Sequence, residues 1–483
     1  MGNREQPNLI YIFADQWRRQ AVGYEGEDPV HTPNIDSFSR ESTVLTDAVT
    51  VSPLCSPHRG SLLTGKYPIN TGVYTNCKVG ADLMLSPEEI CVSDVLSKAG
   101  YETGYIGKWH LDLPELNVTD EPESGAMGWD AYTPPGPKRH GFQYWYSYGA
   151  WDDHFSPHYW QDSSEKVKVN QWSVEHETDR ALDFIKDRKS DRPFGLFISW
   201  NPPHSPFEQV PEKYRELYKE KDLPLRENVH DSKYIVHTGE SVDGGLEELK
   251  RNQLNYFAAI SGIDDQFERI LQLLRDEKLE EDTIVVLTSD HGEMMGSHGL
   301  MAKHVWYEES IGVPFVIRWP REIPYAKSNV LLNTVDIMPT LLGLLDLEIP
   351  NSVEGTDVSN LITNQRSDGP EAAYICGYPG RKEAIENFRE AGLDNRAYGW
   401  RAVRTHNYTY VIHNGYVPGE EQVRLLYNLK DDKFQLHPKQ DNELKNHPIA
   451  EELDRKLRSW LLEIKDPFYY SYDGYNGKSF LEY

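Results

Sequence analysis

The sequence predicts an α/β fold: one large, mostly parallel sheet sandwiched between helices, followed by a smaller α+β unit on an antiparallel sheet. Three observations carry this. Runs at 8–14, 194–200 and 283–289 are apolar almost without a break, as strands are when helices cover both faces of a parallel sheet. Helical patterns fall between them, the longest at 253–274. After about residue 365 the chain turns more polar, and short runs at 401–405 and 408–412 read as antiparallel strands. A chain of 483 residues exceeds one ordinary core, so domains are expected at 1–365 and 366–483.

The net charge of −27 argues against a nucleic-acid or anionic-membrane partner, which would meet a repulsive surface. An anionic small molecule would need positive charge focused in a cleft. The four cysteines, Cys55, Cys77, Cys91 and Cys376, are too few for a disulfide framework at this length. No run approaches a membrane span, and 1–7 lead straight into an apolar strand without a leader-length hydrophobic region. The expectation is a periplasmic or secreted protein whose leader was trimmed, or else a cytoplasmic one.

Taken in order, the strand at 8–14 ends in Asp15-Gln16. Ligands of parallel sheets gather beyond the carboxyl ends of strands, so Asp15 stands where a metal ligand is expected; an Asp there also suits a helix N-cap. The stretch Cys55-Ser56-Pro57-His58-Arg59-Gly60 reads as a reactive residue in a tight turn that opens a helix, although buried free cysteines are commonly just small apolar residues. Residues 87–100 read as a helix with Pro87 near its start, Ile90, Val92, Val95 and Leu96 inward, and Gly100 as its stop. The strand at 103–107 delivers Lys108-Trp109-His110; on an extended segment Lys108 and His110 would share one side.

The aromatic stretch 141–160 suits two uses equally. It is a satellite core under a long loop, or a substrate wall with Trp151, Asp153 and His154 reaching a sugar. A helix is expected over 172–186, with Ala181, Leu182, Phe184 and Ile185 inward. The strand at 194–200 stops at Asn201-Pro202-Pro203-His204-Ser205-Pro206, whose prolines fix the backbone around His204. Residues 208–250 read as surface helix and loop. On the helix at 253–274, Asp264-Asp265 read as a solvated face. The strand at 283–289 closes on Asp290-His291, a carboxylate and an imidazole with no core role, hence a ligand signal. Lys303 follows, then a strand at 313–317, an apolar helix at 336–344 and a last helix at 450–464. The tyrosine-rich tail at 468–475 has no assignment.

The spacing of Cys55 to Pro57, Arg59 and Thr64-Gly65 resembles the maturation motif of the type I sulfatases, within the alkaline phosphatase superfamily. So do Asp15-Gln16, His31-Thr32-Pro33, Gly107-Lys108-Trp109-His110, Asp290-His291 and Lys303 in their order. The family often has Asp where Gln16 stands. The resemblance implies an alkaline-phosphatase-like α/β/α sandwich and hydrolysis of a sulfate ester. It also implies oxidation of Cys55 to formylglycine by a formylglycine-generating or sulfatase-maturing enzyme, with the hydrated aldehyde as nucleophile. Asp15, Gln16, modified Cys55, Asp290 and His291 would hold one divalent ion, calcium in most such enzymes, with magnesium or manganese still open. Lys108, Lys303 and Arg59 would offset sulfate charge, His204 would protonate the leaving alcohol, and His110 would aid release of sulfate.

The expected substrate is a small sulfated carbohydrate, a hexose or hexosamine bound end-on by an exo-acting enzyme; aryl or choline sulfate stays open. The nearest rival is a phosphonate monoester or phosphodiester hydrolase of the same superfamily, which tends to lack the Lys108-Trp109-His110 segment. A non-catalytic glycan-binding protein is a third reading.

Overall fold

The computed structural model describes residues 6–188, 192–220, 223–229, 234–236, 241–242, 245–364 and 369–471. Its centre is an eight-stranded sheet, with strands β1 (Asn8–Asp15), β2 (Thr43–Val49), β3 (Glu102–Lys108), β4 (Tyr144–Tyr148), β5 (Phe194–Pro203), β6 (Thr283–Ser289), β7 (Phe315–Arg318) and β8 (Ala326–Asn333). Their spatial order is β8-β2-β7-β6-β1-β5-β3-β4. Only β7 runs against its neighbours, so the carboxyl ends of β1, β2, β3, β5 and β6 share one edge.

Every residue of β1 is buried, and its side chains alternate between two cores. Ile10, Ile12 and Ala14 join the core that holds the long helix Gly245–Asp276 and the helix Ser173–Lys186. Leu9, Tyr11 and Phe13 join the core with Leu62 and Leu63 of the helix Cys55–Thr64 and with Met338, Leu341 and Leu342 of Thr334–Leu344. This is the α/β/α sandwich the apolar runs predict.

The C-terminal sheet is antiparallel: β9 (Ala373–Gly377), β10 (Trp400–Arg404), β11 (Tyr408–His413), β12 (Val423–Asn428) and β13 (Lys439–Gln440). The helix Pro448–Glu463 covers it. Val49, Ile311 and Leu331 of the main sheet's surroundings share a core with Ile375, Trp400 and Val411. Arg404 reaches across to Glu308 and Asp47, and Glu308 also binds Arg19. The expected domain boundary at 365/366 lies outside the described residues, as do residues 472–475 of the tail.

Several local expectations change. The helix expected at 87–100 spans only Val92–Lys98: Cys91 and Asp94 form a reciprocal cap at its start, and Ile90 is left exposed. The long helix, Gly245–Asp276, begins eight residues before 253–274 and ends two residues after it. Asp264 is buried rather than solvated, accepting from the Asn34 and Ile35 amides. It thereby places a carboxylate at the N-terminus of the helix Pro33–Ser39. Leu182 and Phe184 are only partly buried. All four cysteines are free and buried. Among the described residues no helix is long and apolar enough to cross a membrane.

Candidate active site

Cys55 is the first residue of its helix and 2 % exposed. Its Sγ lies 3.5 Å from Asp15 Oδ1 and 3.4 Å from His291 Nε2. Asp15 arrives on the end of β1 and Asp290 directly after β6. The donor atoms of Asp15, Cys55, Asp290 and His291 lie within 4.8 Å of one another. His291 Nδ1 faces the Gly292 carbonyl at 3.0 Å; a carbonyl only accepts, so Nδ1 carries the proton and Nε2 offers its lone pair to the group.

Arg59 follows Cys55 by one helical turn and faces the same way. Its Nη2 bridges Asp15 Oδ2 at 3.1 Å and Asp290 Oδ2 at 3.2 Å. Lys108 Nζ meets Asp15 Oδ2 at 2.8 Å and Asn201 Oδ1 at 3.1 Å. Gly107 makes the approach of β3 to β5 possible: at φ 98°, an added Cβ would stand 2.1 Å from the Ser199 carbonyl.

The charges are unevenly held. Burial opposes ionisation of Asp15, but Lys108, His204 and Arg59 more than offset it and keep the carboxyl well below its usual range. Burial, and then the Asp15 charge, push Asp290 up to about 7, because two carboxylates this close cannot both ionise cheaply without a cation. Burial followed by Asp15 pushes the Cys55 thiol up to about 12, so an unmodified thiol here stays protonated and is a poor nucleophile.

Gln16 leaves β1 with φ 71°. Its amide oxygen accepts from Lys303 Nζ and its amide nitrogen donates to Glu293. Glu293 also accepts from the Met295 and Ala302 amides at 2.8 Å each. One buried carboxylate thus orients Gln16 and anchors the loop carrying Lys303.

His110 does not continue the strand. The chain turns left-handed there (φ 54°), so strand alternation is not what places the ring. Its Nε2 faces the Cys77 carbonyl at 3.1 Å, Nδ1 is buried with no hydrogen-bond partner among the described residues, and its own carbonyl accepts from Ser56 Oγ. His204 lies just past β5, its Nδ1 at 2.7 Å from the Ser205 carbonyl and 3.6 Å from Asp152 Oδ1. Burial, then Lys303, bring His204 down to about 4.

Trp151 is half-buried, and its carbonyl accepts from Asn201. Asp153 accepts from the Phe155 and Ser156 amides of its own turn. His154 is buried, with Nε2 on the His204 carbonyl at 2.9 Å. The acidic residue that faces His204 is therefore Asp152, one position before Asp153, and Asn201 Nδ2 donates to it at 2.9 Å. Partial desolvation opposes the charge of Asp152, while His204 and Lys108 more than compensate and hold it below the usual range. Sequence reasoning assigned no role to Asn201, Asp152 or Glu293. Asn201 and Glu293 stand inside strand-end motifs that carried the signal, whereas nothing in a doublet such as Asp152-Asp153 says which member turns inward.

Comparison with known proteins adds the family. The sulfatase family model matches residues 7–347, and the model described as N-sulphoglucosamine sulphohydrolase, C-terminal, matches 296–467. An endo-4-O-sulfatase of Bacteroides thetaiotaomicron is 37 % identical, covering 96 % of this chain and 94 % of the relative. An ulvan-active sulfatase of Formosa agariphila is 35 % identical over 96 % of this chain and 82 % of its own. A solved structure from work on glycosaminoglycan metabolism by Bacteroides thetaiotaomicron superposes with a TM-score of 0.84 at 35 % identity, covering 96 % of this chain and 98 % of that one. With sequence and fold agreeing over nearly the whole length, this chain belongs to the sulfatase family and is a sulfuric ester hydrolase.

Proposed function

We propose that the enzyme removes a sulfate ester from a carbohydrate, a sulfated hexose or hexosamine, with Cys55 converted to formylglycine and one divalent cation beside it. The observation that supports this most is the convergence of Asp15, Cys55, Asp290 and His291 within 4.8 Å, with Arg59 and Lys108 buried against the carboxylates. The names of the two relatives, endo-4-O-sulfatase and ulvan-active sulfatase, support a glycan substrate.

The residues fit a hard cation. Two carboxylates and one imidazole converge, position 55 would add oxygen after conversion, and the Gln16 amide oxygen, which accepts from Lys303, would be a fifth protein donor; calcium, magnesium and manganese all suit such a set, and calcium is our choice. A hydrated aldehyde at position 55 supplies the attacking hydroxyl, and a divalent ion supplies charge on which a sulfate oxygen can lean. Because Cys55 is 2 % exposed, a maturing enzyme must reach it before the chain folds.

The chain's own residues do the rest. Lys108 and Lys303 neutralise sulfate oxygens, and Lys108 with Arg59 keeps Asp15 a carboxylate; Asp290, pushed up to about 7, has the proton affinity to accept the proton of the attacking hydroxyl once a cation beside it holds it ionised. His204 is neutral at rest. An anionic ester arriving between it and Lys303 raises its affinity for a proton, which it passes to the departing alkoxide. His110, beside the start of the nucleophile helix, aids sulfate release.

The test is sulfate release from a panel of singly sulfated hexoses and hexosamines, sulfated polymers, an aryl sulfate and a phosphonate monoester. At least one sulfated sugar is expected to be the best substrate, and its position at a chain end or inside a polymer fixes the mode of action. Faster turnover of the phosphonate than of every sulfate would reverse the reading.

A further inference from the structure

Beside the catalytic group lies a recess of about 320 Å³, lined by Gly128, Trp129, Ala150, Trp151, Asp152 and Asp153. We propose that this recess seats the leaving-group pyranose, its apolar C–H face against Trp129 and a hydroxyl next to the scissile ester donating to the Asp152 carboxylate. The inference rests on the carbohydrate sulfatase reading and adds the sugar's binding site to it.

Three observations converge on this recess. Its size is at the lower end of small-ligand sites, enough for one sugar ring rather than a folded oligomer. Trp129 is 43 % exposed on a protein carrying a net charge of −27. A large indole left open beside polar groups is the surface a pyranose uses, because it offers an apolar platform at small entropic cost. The recess is also wired to the chemistry. Asp152, about half exposed at 49 %, lies 3.6 Å from His204. Asn201 links Asp152 to Lys108 through hydrogen bonds of 2.9 and 3.1 Å. The indole also stacks on His110 at 6.2 Å, and Lys78 Nζ stands 5.6 Å from its centroid. A ring held here would therefore have its ester oxygen near His204 and its sulfate near Lys108.

Asp152 also sets a specificity. An ionised carboxylate only accepts hydrogen bonds, so it favours a free hydroxyl and repels a second sulfate at the neighbouring carbon.

The experiment uses the matured, metal-loaded enzyme and compares kcat/KM for its best singly sulfated sugar with kcat/KM for para-nitrophenyl sulfate. Trp129→Ala is expected to lower the ratio of the two by about tenfold, chiefly through KM for the sugar, the size of one lost ring contact. Trp129→Phe, which keeps an aromatic surface there, should recover most of it. A loss on both esters confined to kcat, with KM for the sugar unchanged, would mean that Trp129 acts only by covering His110, and an unchanged kcat/KM for the sugar would mean that the ring binds elsewhere; either overturns the subsite while leaving the carbohydrate reading intact. Wild-type enzyme that cleaves the aryl ester but no sulfated sugar would instead remove the reading itself.

Discussion

Replacing Arg59 by Met removes the guanidinium shared by two buried carboxylates while keeping much of the apolar stem. Arg59 Nη2 is 3.1 Å from Asp15 and 3.2 Å from Asp290, and Nη1 donates to the Lys108 carbonyl at 2.7 Å and to Ser199 Oγ at 2.6 Å. Lys108 stays beside Asp15 at 2.8 Å, so the change strands chiefly Asp290 and two neutral acceptors. Breaking a buried pair from one side costs about 3–5 kcal/mol. At roughly 2 cal/mol/K of unfolding entropy per residue, a 483-residue chain loses about 1 kcal/mol per degree near its midpoint, so Tm should fall by about 3–5 °C. The assay is scanning calorimetry in chelator at about pH 8, above the value near 7 to which Asp290 is pushed, so that its carboxylate is charged, on wild type, Arg59→Met, Asp290→Asn and the double variant. Because Asp290→Asn removes the stranded charge, the double variant should regain stability, with a coupling above about 1 kcal/mol. A Tm for Arg59→Met within about 1 °C of wild type, or effects additive to within about 0.5 kcal/mol, would refute the argument.

Three further outcomes follow from the same geometry. Burial opposes the charge of Glu308, yet Arg404 and Arg19 bring it down to about 2; a depressed carboxyl stabilises above its unfolded value near 4.5 and loses that contribution as pH falls toward 2. Acidification across that window should therefore remove about 3 kcal/mol of stability, and Glu308→Gln should flatten this part of the stability profile. Gly107→Ala would set a Cβ 2.1 Å from the Ser199 carbonyl, so it should lower both Tm and turnover by displacing Lys108; wild-type values for both would contradict the close approach of β3 to β5. Glu293→Gln weakens the carboxylate that holds Gln16 and the Met295 and Ala302 amides; if Gln16 is the ligand proposed above, steady-state kinetics should show a loss of about 10–100-fold, typical of residues that orient metal ligands.

The sheet was readable in the chain because a strand buried on both faces leaves an apolar run, and because Asp15, Lys108 and Asp290 break such runs where the sheet's ligand edge lies. What misled was charge taken without its period. Asp264 falls in register with Phe257, Ile260 and Phe267 on the buried face of its helix, and that spacing outranks its polarity; the Asn34 and Ile35 amides supply the partners that make burial tolerable. The helix is shorter than the expected 87–100 for a related reason: Pro87 allows a helix to begin, but the cap formed by Cys91 and Asp94 decides where it does. Asp152, Asn201 and Glu293 act through contacts across about 50 or more positions or at a sharp turn, where no local period operates. His110 illustrates the limit of alternation, since one left-handed residue undoes it.

The most direct test is mass spectrometry of the peptide containing Cys55 from fully active enzyme, beside a Cys55→Ala variant. An aldehyde or its hydrate is expected in place of the thiol, in proportion to specific activity, and the variant should be folded but inactive. Full turnover by protein whose Cys55 is entirely thiol would contradict this expectation.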